Sequence, residues 1–239
     1  MEYGDKHILV LGAGASGIGA SWVLAQLGAH VVLNDYKPVT LPATEEGRLV
    51  SAGVEIITGR QDESLLDGVD RIVISPGISL DIPIVKAAQA RGIDVVSEVE
   101  LAYEVSKSPI VAVTGTNGKT TTTTLLTKVL EGSGKPVRVG GNIGDSLSEV
   151  AYSMPVGGFL VAELSSYQLE TIKHFRPIGA IMLNITPDHL ARHKTMENYI
   201  AAKERIFENQ LKSDYLVLNI DDSVVADMEH RAPSHILQI

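Results

Sequence analysis

The chain has 239 residues, 44% hydrophobic and 21% charged, ordinary for a globular protein long enough to bury two cores. Its 29 acidic residues outnumber its 20 basic ones, for a net charge of −9, which argues against a nucleic-acid surface because phosphate-backbone affinity comes from clustered Lys and Arg. Cysteine is absent, which excludes disulfides and thiolate metal sites, and no apolar run reaches membrane-spanning length; a cytoplasmic chain with no leader, anchor or membrane insertion is expected.

From the N-terminus, short β-branched runs alternate with helical segments: strands at 7–11, 31–34, 54–57, 71–75 and 94–96, with helices at 16–27 and 83–91 among them. This alternation predicts an α/β fold with a parallel sheet wrapped by helices. Gly12-Ala-Gly-Ala-Ser-Gly17 is a full GxGxxG between the first strand and the first helix, and Asp35 closes the next strand, in the Rossmann arrangement. Such a loop brings backbone close to a phosphate or sugar, and Asp35 can accept from a ribose hydroxyl or a base N–H. NAD is one candidate; the spacing does not choose the nucleotide. The turn Ser75-Pro-Gly-Ile78 lies at the C-terminal end of a strand of the same sheet, where ligands of open α/β folds collect, although a plain Pro-Gly turn has the same composition.

A second series starts at Pro109, with strands at 110–114, 136–139, 159–163, 180–184 and 215–219 and helices at 121–132 and 197–209. A boundary in the polar stretch 106–108 gives domains 1–107 and 108–239, with relative motion expected across so short a linker. The second series opens on a strand, a glycine loop and a helix start in immediate succession. Gly115 and Gly118 let N–H groups turn toward an anion, the helix start adds its dipole, Lys119 adds a full charge, and Thr120 can offer a hydroxyl to a phosphate-bound Mg2+. The strict GxxxxGK[ST] pattern has glycine where this chain has Val113, so this is a variant phosphate loop. A plain capped turn would leave Lys119 unexplained.

Further along, Asn142 in Gly140-Gly-Asn-Ile-Gly144 offers an amide to a phosphate or carboxylate, although Gly-Asn turns also form for backbone reasons. Glu163 closes an apolar strand and suits hard Mg2+, although an acid at the start of a helix from 164 is an alternative. His189 and Lys203 read by themselves as solvated residues, yet a desolvated lysine can stay neutral and take up CO2 as a metal-binding carbamate.

Taken together, GAGASG with Asp35, SPGI, TGTNGKTTT, GGNIG, ELSSYQLE, NITPDH and YIAAK, in this order and spacing, resemble the Mur ligase family along essentially the whole chain. Asn117, ELSSYQLE and the first domain place the resemblance nearest the D-glutamate-adding branch. It implies a Rossmann-like first domain that takes the UDP part of UDP-N-acetylmuramoyl-L-alanine, not NAD, with Ala15, Ser16, Asp35, Tyr36, Lys37, Ser75, Pro76 and Gly77 around uracil and pyrophosphate. It implies ATP on Gly115, Thr116, Asn117, Gly118, Lys119, Thr120 and Thr121, with Asn142 on the substrate pyrophosphate and Tyr199 in the active site. One Mg2+ would sit on Thr120 and Glu163, a second on His189 and carbamylated Lys203; Lys119, Glu163, His189 and Lys203 would carry catalysis through an acyl phosphate.

Two departures stand out. The family continues Leu-Asp-Arg-His-Gly after the histidine, where this chain has Leu190-Ala-Arg-His-Lys194, so Ala191 replaces an acid near the second metal. The sequence ends at Ile239, within what the resemblance makes a P-loop-type central domain. The expectation is an incomplete central domain, no domain for D-glutamate, and no ligation by this chain alone. Another Mur or folylpolyglutamate-type ligase, an NAD(P)-dependent oxidoreductase and a non-catalytic nucleotide-binding fragment are the competing readings.

Overall fold

The computed structural model describes residues 3–239; the expected leaderless start at Met1 lies outside them. The first half contains strands β1 (His7–Leu11), β2 (His30–Asp35), β3 (Glu55–Thr58), β4 (Arg71–Ile74) and β5 (Asp94–Ser97), with helices α1 (Ala15–Gln26), α2 (Ala43–Ser51), α3 (Pro83–Ala90) and α4 (Glu98–Val105). The second contains β6 (Ile110–Thr114), β7 (Val137–Gly141), β8 (Phe159–Glu163), β9 (Gly179–Met182), β10 (Tyr215–Leu218) and β11 (His235–Gln238). Its helices are α5 (Lys119–Glu131), α6 (Leu147–Ser153), α7 (Ser166–Leu169), α8 (Leu190–His193), α9 (Met196–Glu204) and α10 (Ser223–Ala226).

Two wholly parallel sheets result, ordered β3-β2-β1-β4-β5 and β11-β10-β9-β6-β8-β7. Parallel pairing follows from sequence chemistry: central strands such as Ile8–Leu11 and Ile72–Ile74 are apolar on both faces and need the cover that crossover helices supply. Each sheet reverses direction of growth beside its first strand. Crevices therefore open at the C-terminal ends of β1 and β4 in one sheet, and around the C-terminal end of β6 in the other.

The polar stretch 106–108 suggested freedom between the halves, but the segment just before it joins them. α4 puts Leu101 in the first core and Val99 and Ala102 in the second. Its fully buried Glu100 accepts the backbone N–H groups of Lys173, His174 and Phe175 at 2.7, 2.8 and 3.0 Å. α1 meets α6 at Gly19, where a Cβ would stand 2.2 Å from Ser146 Oγ, so only glycine allows the approach.

Glu98, also on α4, is enclosed in this interface. Its Oε1 accepts from Ser146 Oγ at 2.7 Å and Ser148 N at 2.5 Å, while its buried Oε2 has no partner. Burial pushes its pKa above the usual carboxylate range, against the lowering effect of those hydrogen bonds. An acid raised in the folded state binds more protons folded than unfolded, so the stability it confers is present at low pH and is lost as pH rises through the folded pKa. Glu98→Gln is therefore expected to be more stable than the parent at alkaline pH, the difference closing below about pH 4.3, where the unfolded carboxyl is also protonated. Thermal denaturation across pH checks this; a difference independent of pH would show that Glu98 does not titrate with folding.

Candidate functional site

The first cleft, about 910 Å³, lies at the C-terminal ends of β1 and β4. Ala15, Ser16, Asp35, Tyr36, Lys37, Ser75, Pro76 and Gly77, all predicted there, line it together. Glycine is required at two loop positions. Gly12 has φ +97°, and a Cβ on Gly17 would lie 1.8 Å from the Gly12 carbonyl oxygen, so helix α1 starts directly against the loop. α1 carries no side-chain cap, which leaves its first-turn N–H groups and dipole to an anion. Asp35 braces the cleft: one oxygen accepts Ala13 N–H at 3.0 Å and the other Lys37 N–H at 2.9 Å. Ser75 spends its hydroxyl proton on the Gly12 carbonyl at 3.1 Å, so its first role is to hold the two loops together.

The second site surrounds the loop between β6 and α5. Gly115 and Gly118 have φ of +149° and +82°. Thr116 and Asn117 donate their N–H groups to Asn184, but those of Gly118, Lys119, Thr120 and Thr121 have no partner among the described residues, and α5 runs on for 13 residues behind them. Four unpaired donors on a helix start, with a lysine among them, make an anion cradle. Lys119 Nζ meanwhile rests on the Thr116 carbonyl at 2.8 Å.

Glu163 ends β8, in register with Val113 of β6, and is 1% exposed. It is not a helix-start acid: Ser165 and Gln168 form the capping box of α7. Asn142 orients it, donating Nδ2 to Oε1 at 2.8 Å, while Oε2 is buried without a partner. This contact needs Gly141, whose φ is +111° and whose Cβ would stand 2.4 Å from the Glu163 carbonyl oxygen.

α9 delivers Tyr199 and Lys203 to the same place, one turn apart. Lys203 is 2% exposed and donates to the Gly115 carbonyl at 2.7 Å and Thr114 Oγ1 at 3.3 Å. Burial, then the neighbouring Lys119 charge, push its pKa down to about 7, with Asp188 opposing. A lysine that reads in sequence as solvated can thus give up its proton near neutral pH. The buried Tyr199 hydroxyl shares a hydrogen bond with Thr116 Oγ1 at 3.0 Å, and burial raises its pKa.

His189 sits at φ +54°, its Nε2 3.3 Å from Asp188 Oδ2 and its ring 4.9 Å from that of Tyr167. Lys194, where the family pattern has glycine, occupies φ +73°, a conformation costly for any other residue. Among the described residues no group of three or more His, Cys, Asp or Glu is placed to hold a metal; the predicted ligands are a threonine, a carboxylate, a histidine and a lysine.

Sequence reasoning missed three residues here. Asn184 holds the phosphate loop, and Asp222 accepts Ile185 N–H at 2.8 Å. Arg192 donates to the Pro76 carbonyl at 3.0 Å while pairing with Glu170, tying the lip of the first cleft to the second half. Asn184 lies in the same NITPDH segment as His189, which was its one available signal; nothing local marks Arg192 or Asp222.

The family description "Mur ligase middle domain" matches residues 113–239, and "Mur ligase MurD-like, N-terminal domain" matches residues 6–97. The UDP-N-acetylmuramoylalanine–D-glutamate ligase of Caldanaerobacter subterraneus subsp. tengcongensis is 47% identical over 236 residues, covering 99% of this chain and 52% of the relative. That of Thermoanaerobacter pseudethanolicus is 46% identical with the same coverage. The chain spans about half the length of the curated relatives it matches. Among solved structures, UDP-N-acetylmuramate:L-alanyl-gamma-D-glutamyl-meso-diaminopimelate ligase from Neisseria meningitides superposes with a TM-score of 0.65 at 22% identity, covering 98% of this chain and 78% of that one. UDP-N-acetylmuramate-alanine ligase from Thermotoga maritima gives 0.53 at 23%, covering 97% and 52%. At those identities the structures speak for the fold.

Proposed function

The chain belongs to the Mur ligase family, and on that premise we propose that it serves an ATP-dependent ligase joining D-glutamate to UDP-N-acetylmuramoyl-L-alanine, in peptidoglycan precursor synthesis in the cytoplasm. The observation that carries this reading is a second anion cradle beside a nucleotide-sized cleft: four unpaired N–H groups, Lys119 and a buried, half-satisfied Glu163 meet around the end of β6. The relatives' names supply the substrates. We place the division at 107/108, with the UDP part in the first cleft and ATP on residues 115–121.

Phosphoryl transfer depends on positioning and charge neutralisation more than on covalent help. The N–H groups of Gly118 to Thr121 hold the ATP phosphates, and Lys119, leaving the Thr116 carbonyl, follows the γ-phosphoryl group as it passes to the alanyl carboxylate. ADP departs and an acyl phosphate remains. The amine of D-glutamate then attacks the acyl carbon; the tetrahedral intermediate expels inorganic phosphate and loses a proton, leaving the amide. Asn142 serves the substrate pyrophosphate and Tyr199 steadies the loop through Thr116.

Glu163 and Thr120 fit one Mg2+, because Oε2 of Glu163 is buried with an empty coordination direction and both ligands are hard oxygens. His189 and Lys203 form the second set. The neutral Lys203 amine is the form that adds CO2 to become a carbamate, and with Ala191 in place of an acid, Asp188 is the carboxylate at hand. When bound, such ions neutralise charge on the phosphates.

Titration calorimetry is expected to find one site for UDP and an independent one for ATP with Mg2+, and no site for a nicotinamide nucleotide. Micromolar binding of NADH or NADPH that UDP fails to displace would overturn the assignment of the first cleft.

A further inference from the structure

The phosphate loop is held from the side by a residue with no part in the scheme above. Asn184 stands two residues beyond β9. Its Oδ1 accepts the Asn117 N–H at 2.8 Å, its Nδ2 donates to the Asn117 carbonyl at 3.0 Å, and its own carbonyl accepts the Thr116 N–H at 2.8 Å. Thr186 extends the tie: its N–H donates to Thr116 Oγ1 at 3.0 Å, and its carbonyl accepts from that hydroxyl at 3.2 Å. A primary amide is the side-chain group that offers a donor and an acceptor in one plane, and here it grips both sides of a single residue's backbone.

The grip has a fixed base and a fixed distance. On the far side, Asn219 Nδ2 donates to the Leu183 carbonyl at 2.9 Å and Asp222 accepts Ile185 N–H at 2.8 Å, so the segment 183–185 is anchored to the end of β10. On the near side it runs against Gly115, where a Cβ would stand 2.9 Å from Leu183 Cβ and 3.3 Å from Asn184 N. Neither Asn184 nor Asn117 is placed in the protein core; the clasp exists at the mouth of the loop. It occupies the N–H groups of Thr116 and Asn117 and leaves those of Gly118 to Thr121 for an anion. A loop free to turn about the Asn117 peptide would have to be ordered at the moment of binding, and that ordering weakens affinity.

We propose that Asn184 is a positioning residue for nucleotide binding, fixing the Asn117 backbone so that the four N–H groups after it are aimed in advance at phosphate oxygens. This rests on residues 115–121 being the ATP site.

The test titrates the intact 239-residue chain with ATP and Mg2+, and separately with UDP, for the parent, Asn184→Ala and Asn184→Asp. Asn184→Ala should weaken ATP binding about tenfold or more, since it leaves the Asn117 backbone unpaired, while UDP affinity stays at the parent value and reports an intact fold. Asn184→Asp keeps the acceptor for Asn117 N–H but sets a carboxylate against the Asn117 carbonyl; protonation restores a donor. Its ATP affinity relative to the parent should therefore recover as pH falls from about 6 to about 4, toward the ordinary carboxyl pKa, whereas the ratio for Asn184→Ala stays flat. A merely structural role would weaken UDP binding along with ATP binding. ATP affinity within about twofold of the parent in Asn184→Ala, with UDP binding retained, overturns the proposal. If Asn184→Ala loses both ligands through misfolding, Asn184→Asp decides, and a pH-independent ratio there overturns it too. A parent chain that takes UDP but no ATP overturns the ATP reading and this inference with it; a parent that binds ATP, with both variants unaffected, overturns the clasp alone.

Discussion

Lys119→Ala is expected to reduce the affinity of the chain for ATP with Mg2+ at least about a hundredfold while leaving UDP binding unchanged, because a lysine–phosphate contact is charge-assisted and its loss leaves phosphate charge uncompensated. The separation follows from architecture: Lys119 opens α5 behind β6, and the first cleft belongs to the other sheet. Lys119→Arg tests charge against shape, since the guanidinium keeps the charge but its planar fork replaces a compact ammonium in a loop built around the latter. Paired calorimetric titrations of both ligands measure the effect. Retention of parental ATP affinity in Lys119→Ala would remove the phosphate-loop assignment.

Lys203→Met is expected to erase a pH-dependent part of the stability that the parent shows between about pH 7 and 10.5. The Lys203 pKa falls from 10.5 to about 7 on folding, chiefly by burial. A base lowered in the folded state binds fewer protons folded than unfolded across that window, so the parent gains stability as pH rises through it, by up to roughly 5 kcal/mol. The methionine variant lacks this gain, so the stability of the parent minus that of the variant in denaturant melts should rise with pH and level off above 10.5. Because the Lys119 charge contributes to the depression, the same measurement on a Lys119→Ala background should begin its rise at higher pH. A difference that stays constant from neutral to alkaline pH would mean that Lys203 remains charged in the fold, and the carbamate reading would fall with it.

The sheets were legible because a parallel strand must be apolar on both faces, and Ile8–Leu11, Arg71–Ile74 and Phe159–Glu163 advertise this directly. β11 gave no such signal. Among the described residues it pairs only with β10, at the edge of the sheet, and His235, Leu237 and Gln238 lie exposed, so it lacks the buried apolar run of a central strand. α4 hides its role for a different reason: Glu98-Val-Glu-Leu-Ala-Tyr-Glu-Val105 carries three glutamates that by themselves suit solvent, yet Glu98 and Glu100 are both buried and their hydrogen-bond partners lie about 50 and 75 residues downstream. In the site, glycines and Lys119 could be read because positive φ and anion binding restrict residue choice locally. Asn142 offers an amide to a phosphate by sequence, but its donation to Glu163 was not legible: Gly141 makes that contact possible and Gly-Asn alone does not announce it. Lys203 needed the resemblance, since its neutrality is a property of the surroundings that α9 enters.

A ribosome releases α4 well before the partners that α4 requires. Leu101 can join the first sheet as soon as β1 to β5 have emerged, but Val99 and Ala102 face a core that does not yet exist, and Glu100 waits for N–H groups 73 to 75 residues further along the chain. At 5–20 residues per second that interval lasts roughly 4–15 s, ample for the first sheet to close without its last helix. During it, the nascent protein carries an apolar stripe next to an acid that water must solvate. The order of synthesis thus makes α4 a late latch: Glu100 gains its partners only when the turn at Lys173–Phe175 arrives, and a nascent chain halted short of that turn would hold the first cleft with its latch still open.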